Sequence, residues 1–472
     1  MNKLNRFVVV VCCLVFVCRL HAQSGNPTLD SLLHRTLDSM RQVLNVKSLS
    51  AAMQFSNESI WADASGISSV SPAEEVTPAH VYLIGSVTKT ITSACILDLV
   101  DEGVLSLNDS LYEWLDTMEF INPNITIRQL MQHTSGIYDV LANPACQPTL
   151  LADISAIWTP QQLINQFLKA PLFAPGTSWS YSNTNYMLLS MIIEKATGNP
   201  FYTEIRNRFF IPLGLSSFSI PAFEALVDPV AHVWMDITGD NISEDAHNFY
   251  INYLSLNSTA GAAGGYFSTP TDCTRWMRRY LRGDVVSAAS LAAAKTFVTA
   301  PGAQGGVYGL GLFRRTFIGN QGLGHGGDLA YAASSWYFPG KDLSITVFTN
   351  DSKNNSWTLL PVVTELLRTC INHQAMTPTQ APLELVADGV QVYPNPFDDA
   401  LDLNTVLLKD AEEVSITLSD ASGKKLVCQE VKNVQQGEQV FTLDALERLP
   451  QGMYFVELKI DGNIQGAWKV AR

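Results

Sequence analysis

The sequence predicts an α+β chain: an antiparallel β-sheet flanked by helices, joined to a helical region and followed by a small C-terminal β-sandwich. Three observations predict it. Strand-like runs fall at both ends of the stretch from 30 to 370, so one sheet has to be built from both ends. Helical periodicity with turn signals fills the middle of that stretch. Beyond a Pro/Thr-rich segment, short strands recur at regular intervals. The 472 residues are 47% hydrophobic and 16% charged, enough apolar matter for more than one core. The net charge of −14, with no basic stripe, argues against a nucleic-acid partner.

Taken in order, Lys3 and Arg6 precede an apolar run at 7–17, and Leu20-His21-Ala22 ends in a small residue. This reads as a secretory signal peptide, residues 1–22, cleaved after Ala22. The run is short for a membrane anchor. Val17 is bulky where a lipoprotein needs a small residue before Cys18. Of eight cysteines, Cys95, Cys146, Cys273, Cys370 and Cys428 lie beyond the leader, widely spaced and without CxxC. They read as mostly unpaired buried thiols and not as a metal site, with one bridge left open in an oxidising compartment. No cofactor is expected.

A first folded unit is expected over 23–374. It opens with an amphipathic helix at 29–46 and a hairpin, 50–55 with 59–64, turning at Asn57. An apolar helix follows from Val87 to its end at Asp101-Glu102-Gly103, too apolar all round to lie on a surface. Short helices are expected at 108–115, at 126–136 running into a glycine turn, and at 159–168, where Thr159 caps and Pro160 takes the first position. An apolar helix at 186–196 comes next. The small-residue run 260–265 lets backbone approach something closely, and a further helix is expected at 271–281. Three adjacent antiparallel strands are expected at 308–313, 332–338 and 343–350, with 322–328 as a loop between the first two, and a closing helix at 357–369. Residues 375–386 read as a linker. Strands near 392–397, 400–403, 414–418, 425–430, 439–443, 453–460 and 464–470 make the sandwich, 387–472.

Three stretches carry chemistry. Ser86 and Lys89 sit three residues apart at the start of the apolar helix, so a hydroxyl and an amine share a face. Serine needs a base, and a lysine becomes one when burial lowers its pKa. The helix start also supplies free N–H groups for an oxyanion. Tyr181-Ser182-Asn183 precedes the next apolar helix, and His325-Gly326-Gly327 precedes a strand. Each has a bland reading. Ser86 could be an N-cap beside a snorkelling Lys89, Tyr181 a core aromatic, and His325 a structural residue in a glycine turn. Ser422 and Lys425 repeat the Ser-x-x-Lys spacing in a polar turn, and Tyr-x-Asn recurs at Tyr250 and Tyr393, so no single match decides. His133 reads as structural. There is no G-x-S-x-G elbow and no H-E-x-x-H.

In combination and in this order, the stretches resemble the serine β-lactamase and penicillin-binding superfamily, in its class C β-lactamase, D-Ala-D-Ala carboxypeptidase and esterase branch. The resemblance covers about 30–370. It rests on Leu83-Ile84-Gly85-Ser86-Val87-Thr88-Lys89, Gln132-His133-Thr134-Ser135-Gly136, Pro175-Gly176 with Tyr181-Ser182-Asn183, Ala262-Ala263-Gly264-Gly265-Tyr266, and Gly324-His325-Gly326-Gly327-Asp328. It implies a β-lactamase/transpeptidase-like fold in which Ser86 is acylated, Lys89 and Tyr181 move protons, and Asn183 orients Lys89 or the substrate amide. The backbone N–H groups of Ser86 and Asp328 would form the oxyanion hole, and Gly326 and Gly327 would let the strand approach the acyl group. Stricter members begin the last motif with lysine. With His325 there, an imidazole titrating near ~6.5 is expected, and with it a weaker hold on a substrate carboxylate and more tolerance of esters or amides.

The tail, with Val392-Tyr393-Pro394-Asn395-Pro396-Phe397, Gly452-Met453-Tyr454-Phe455-Val456 and Trp468-Lys469-Val470, resembles a type IX secretion sorting domain. A carbohydrate-binding or adhesive sandwich is its alternative. Together the readings imply an exported serine hydrolase, secreted or at the cell surface. It would use a small-molecule or peptide substrate (an amide, ester or β-lactam) and the type IX machinery as partner. The alternative is a surface-displayed binding protein with a silent cleft.

Overall fold

In the computed structural model, Asn26 opens the first helix, α1 (Pro27–Leu44): its side-chain oxygen accepts the N–H groups of Thr28 and Leu29, each at 3.2 Å. The structure describes residues 26–472 except 228, 241, 303–305, 374–386, 394–396, 408, 421–423 and 462. The expected leader, the linker and Ser422 lie outside the described residues. The chain divides into two compact units, Met1–Met376 and Thr377–Arg472.

In the first unit Leu29, Leu33 and Leu37, one turn apart, are buried along one side of α1. They lie on a nine-stranded antiparallel sheet beside α6 (Leu360–Asn372), with Thr36 Oγ1 and Thr369 Oγ1 3.0 Å apart. The strands are β1 (Ser48–Gln54), β2 (Ile60–Val70), β3 (Ala73–Glu75), β4 (Val298–Thr299), β5 (Val307–Tyr308), β6 (Phe313–Phe317), β7 (Asn320–Leu329), β8 (Tyr331–Phe338) and β9 (Leu343–Thr349). Their order is β3-β2-β1-β9-β8-β7-β6-β5-β4. The two ends of the unit therefore meet at the centre, where β1 pairs β9 with Ser50 opposite Phe348. Both strands are buried throughout, as strands covered on both faces must be.

The other face carries α5 (Pro270–Arg282), and beyond it lies the helical region: α2 (Thr88–Asp101), α3 (Asn183–Thr197) and α4 (Leu254–Gly264). Ile91, Cys95, Leu188, Ile192, Trp276 and Met277 share its core. The short helices appear where the cap signals place them. Ser110 with Glu113, Thr126 with Gln129, and Thr159 with Gln162 each close a capping box. No helix among the described residues is long and apolar enough to cross a membrane.

Two expectations need correction. Residues 322–328 are not a loop but the body of β7, pairing β6 on one side and β8 on the other. Their glycines are there because neighbours leave no room: a Cβ on Gly324 would meet the Trp336 backbone at 2.9 Å, and one on Gly326 would meet Ser356 at 2.6 Å. Residues 308–313 are not one strand but the turn from β5 to β6, passing through Gly311 at φ 78°.

The second unit has seven described strands: β10 (Ala387–Tyr393), β11 (Leu401–Leu407), β12 (Ala411–Asp420), β13 (Lys425–Val434), β14 (Gly437–Leu443), β15 (Met453–Ile460) and β16 (Asn463–Ala471). They form two sheets, β10-β11-β14 and β13-β12-β15-β16, around Leu401, Leu403, Ile416, Leu418, Phe441 and Leu458. Cys95, Cys146, Cys273 and Cys370 are buried thiols, and Cys428 is exposed.

Because α1 reaches the sheet through its leucine stripe, Leu33→Ala should lower unfolding free energy by about 2–5 kcal/mol. A urea titration showing a lower midpoint at unchanged slope checks this.

Candidate active site

Ser86 stands in a single 3-10 turn, Gly85–Val87, that runs straight into α2, so it precedes the helix proper. Lys89 lies one turn on. The first ten residues of α2 are all buried, and Lys89 is 0% exposed. Its Nζ is 3.1 Å from Ser86 Oγ, 2.8 Å from Asn183 Oδ1 and 2.7 Å from the Ala263 carbonyl oxygen. That carbonyl comes from α4, which kinks at Gly261 (φ 38°) and presents the small-residue run to α2; Thr92 Oγ1 also donates to Ala262 O at 2.7 Å. The amine lies over the rings of Tyr181 (4.8 Å) and Tyr186 (5.3 Å).

Asn183 is the first residue of α3, and Tyr181 stands two residues earlier. His133 holds this segment in place. Its Nδ1 accepts the Ser182 N–H at 3.2 Å and the Asn185 Nδ2–H at 3.1 Å, and its ring centre lies 4.2 Å from that of Tyr181. Both acceptor bonds require the tautomer with hydrogen on Nε2. The expected structural role of His133 has this physical content.

β7 closes the cleft. Gly85 (φ 52°) and Gly327 face each other so closely that neither could carry a Cβ. One on Gly85 would lie 2.7 Å from Asp328 N, and one on Gly327 would lie 2.9 Å from Ser86 N. The Asp328 amide nitrogen thus lies against Gly85, next to Ser86 in the chain, and the Ser86 nitrogen lies against Gly327. The Asp328 carboxylate is clamped to the next loop, accepting Ser356 N–H at 2.5 Å and Ser356 Oγ–H at 2.7 Å. His325 Nδ1 lies 2.5 Å from the Gly326 carbonyl oxygen and must donate to it, so Nε2 accepts from Tyr308 Oη at 3.0 Å. These groups line a cleft of about 420 Å³ whose walls include Trp179, Phe313 and Trp357. A larger hollow of about 710 Å³ is lined by His34, Asp38, Arg41 and Lys353 among others.

Burial sets the electrostatics. It pushes the Lys89 amine down to about 7, against the pull of the Asp139 charge. His325 is driven down to about 3 by burial and then by Lys89, so the expectation of an imidazole titrating near neutrality is not met. His133 is held well below its ordinary value by the same two causes and by His325. The Tyr181 phenol is held well above its ordinary value by burial, offset only in part by Ser86; its hydroxyl approaches Ser86 without a well-aligned hydrogen bond. Burial also raises Asp328, against its bonds from Ser356.

All eight residues singled out in the sequence, Ser86, Lys89, Tyr181, Asn183, His325, Gly326, Gly327 and Asp328, come to this cleft or its back wall. Sequence reasoning missed Asp139, whose carboxylate accepts Asn183 Nδ2–H at 2.8 Å, and also Tyr308, Ser356 and the aromatic walls. Asp139 lies three residues beyond the segment that ends at Gly136, and a lone aspartate carries no pattern.

Residues 36–360 match the family model described as beta-lactamase, and 391–470 match that of a secretion system C-terminal sorting domain. Penicillin-binding protein 4* of Bacillus subtilis (strain 168) is 32% identical over 143 residues, 29% of this chain and 30% of that protein. A D-aminopeptidase of Brucella anthropi is 33% identical over 167 residues, 34% of this chain and 31% of that one. The chain thus spans about a third of the length of these curated relatives. Among solved structures, a D-stereospecific amidohydrolase from Streptomyces sp. superposes with TM-score 0.60 at 29% identity, over 68% of this chain and 94% of that one. The D-amino acid amidase from Ochrobactrum anthropi SV3 complexed with L-phenylalanine amide gives TM-score 0.65 at 23% identity, over 74% and 99%, a likeness of fold alone. With more than half its length under one family model, this chain belongs to the beta-lactamase family, and it carries a C-terminal secretion sorting domain.

Proposed function

We propose that this protein is an exported serine hydrolase that works through an acyl-enzyme on amides and esters, with Ser86 as nucleophile and Lys89 as its base. The observation that carries this is the buried amine 3.1 Å from Ser86 Oγ with its pKa pushed down to about 7. A neutral amine has two N–H donors and one lone pair. The two shorter contacts, to Ala263 O and Asn183 Oδ1, take the donors. The lone pair then faces Ser86, which donates to it. When Ser86 Oγ attacks a carbonyl carbon its proton passes to Lys89, and the ammonium still has three acceptors, so only the Ser86 bond reverses. The charge that develops on the carbonyl oxygen is met by the N–H groups of Ser86 and Asp328. The leaving group takes its proton from Lys89 or through Tyr181, which stays a phenol. Water then attacks the acyl-enzyme with the amine again accepting a proton.

The cleft also favours a substrate class. Among its described lining residues the titratable nitrogen base is His325, which is neutral above about pH 3, while Asp328 brings a carboxylate and Trp179, Phe313 and Trp357 bring ring faces. Among those described residues a free substrate carboxylate meets no cation, and the Lys89 amine behind them is committed to its own three contacts. Amides and esters with apolar substituents fit better than C-terminal carboxylates or β-lactam carboxylates. The D-aminopeptidase and D-stereospecific amidohydrolase names among the relatives agree with this class. The signal-like leader and the sorting tail support export across both membranes of a type IX secreting cell, with the domain division 1–22, 23–374, 375–386 and 387–472.

Intact mass after incubation with a p-nitrophenyl ester, an amino-acid amide, a D-Ala-D-Ala peptide and a penicillin should show adduct or turnover in the wild type and none in Ser86→Ala. No adduct from any of them would favour a silent binding cleft. The peptide amide should be consumed at least ~10-fold faster in kcat/KM than the same peptide with a free carboxylate, a gap of ~1.4 kcal/mol; equal rates, or fast β-lactam turnover, would refute the charge argument. The sign of the pH dependence follows from Lys89. The base must be neutral, so kcat/KM should rise through about pH 7, with no limb from His325 between pH 5 and 9. The same lowered pKa costs stability below pH 7, where the unfolded lysine is charged and the folded one resists charging, and the cost fades as pH rises toward 10.5. Lys89→Met should therefore be more stable than wild type at pH 6 and lose that advantage by pH 10, as thermal melts at the two pH values would read.

A further inference from the structure

The orientation of the Asn183 amide is not fixed by Lys89 alone. An amide has an oxygen end and a nitrogen end, and only the oxygen end can accept from the amine. The end that faces Lys89 is decided behind it. Asp139 Oδ2, an acceptor when ionised, takes Asn183 Nδ2–H at 2.8 Å, which leaves Oδ1 toward Nζ at 2.8 Å. Asp139 is itself held at three points. Its Oδ1 accepts the Leu141 N–H at 3.1 Å at the start of the turn Val140–Ala142. On either side of it, Thr184 Oγ1 accepts the Val140 N–H at 3.0 Å and donates to the Tyr138 carbonyl at 2.9 Å. The carboxylate is thereby pinned to the first turn of α3, where a negative charge is also favoured.

We propose that Asp139 is a positioning residue of this active site: it presents the Asn183 oxygen to Lys89 and supplies the negative charge against which the Lys89 ammonium forms. The inference rests on the reading of Lys89 as the base of Ser86. Around the amine the other groups are Tyr181 and Tyr186, both phenols, His133 and His325, both neutral, and the Ala263 carbonyl. None of them carries charge near neutrality, and the more distant Asp328 is committed to Ser356. The effect on Lys89 is the one that geometry requires: Asp139 raises its pKa against burial. Asp139 in turn is raised by burial and lowered by its bonds from Leu141 and Asn183 and by the Lys89 charge. Without the carboxylate, proton transfer from Ser86 would create a buried ammonium with no counter-charge, and the Asn183 amide could turn its nitrogen to Lys89.

The test is Asp139→Asn in the full chain, with Asp139→Ser as a second variant; both keep an oxygen for the Leu141 N–H. Two readouts are taken from pH 4 to 10. One is Ser86 acylation by p-nitrophenyl acetate, followed by intact mass. The other is the Lys89 titration, read by carbon-13 NMR of ε-labelled lysine and assigned by loss of the signal in Lys89→Met. The expected result is a thermal midpoint near wild type, acylation slowed about tenfold or more, and both the acid limb and the Lys89 midpoint moved to lower pH by about one unit. If stability falls while the pH profile and the Lys89 midpoint stay put, Asp139 is only a turn cap and the proposal is overturned. If nothing changes, it is overturned as well. If wild type gives no Ser86-dependent adduct, the hydrolase reading fails, and the NMR midpoint still decides whether Asp139 sets the charge of Lys89.

Discussion

The burial of one amine organises this molecule. Lys89 is enclosed on a helix that is apolar on every side, and its three polar contacts come from three separate stretches of chain, at 86, 183 and 263. Placing an ammonium there costs several kcal/mol after relaxation, while a neutral amine costs much less. The fold therefore prefers the neutral form of that lysine, which is the form the proposed chemistry at Ser86 needs. The Tyr181 and Tyr186 rings and the backbone of α4 pack around the amine.

Close backbone approach does the rest. The turn that carries Ser86 and the strand that carries Asp328 touch through two glycines with no side chain between them. In the mechanism proposed above, the Ser86 and Asp328 amides are held by backbone packing alone, so the donors need no reorganisation when charge appears. The Asp328–Ser356 clamp and the His325–Tyr308 bond lock the strand from its far side. His325 is accordingly part of the frame. Its imidazole is neutral, and that follows from enclosure by Tyr308 and Phe313 more than from the intrinsic basicity of histidine.

Much of this was legible in the sequence. The apolar run after Ser86 announced a buried helix, and burial of the helix already implied a perturbed lysine. Capping residues at 126 and 159 marked helix starts correctly. What failed was reading glycine by composition. Residues 322–328 look like a loop because glycine has little intrinsic strand preference, yet they form a strand because their neighbours exclude a Cβ. That is a tertiary fact no local pattern records. The ordinary pKa of histidine belongs to an exposed imidazole, and His325 is enclosed, a fact its local sequence does not carry. Asp139 stayed hidden for a related reason, since its role exists only through an asparagine 44 positions away.

The pairing of β1 with β9 has a consequence in time. The middle of the sheet joins Ser50 to Phe348, so its central ladder is not available to a chain still being made. Closing so long a loop adds little to the equilibrium cost, because loop entropy grows only logarithmically, but it defers the event. Until β9 has emerged, β1 is an open edge and the strands β8 and β7 that border the cleft have no seat on it. A chain stopped before β9 thus carries Ser86 and Lys89 without the strand of Asp328 set beside them. For a chain with a secretion sorting domain, the topology itself acts as a delay, leaving the cleft unfinished until synthesis has passed β9.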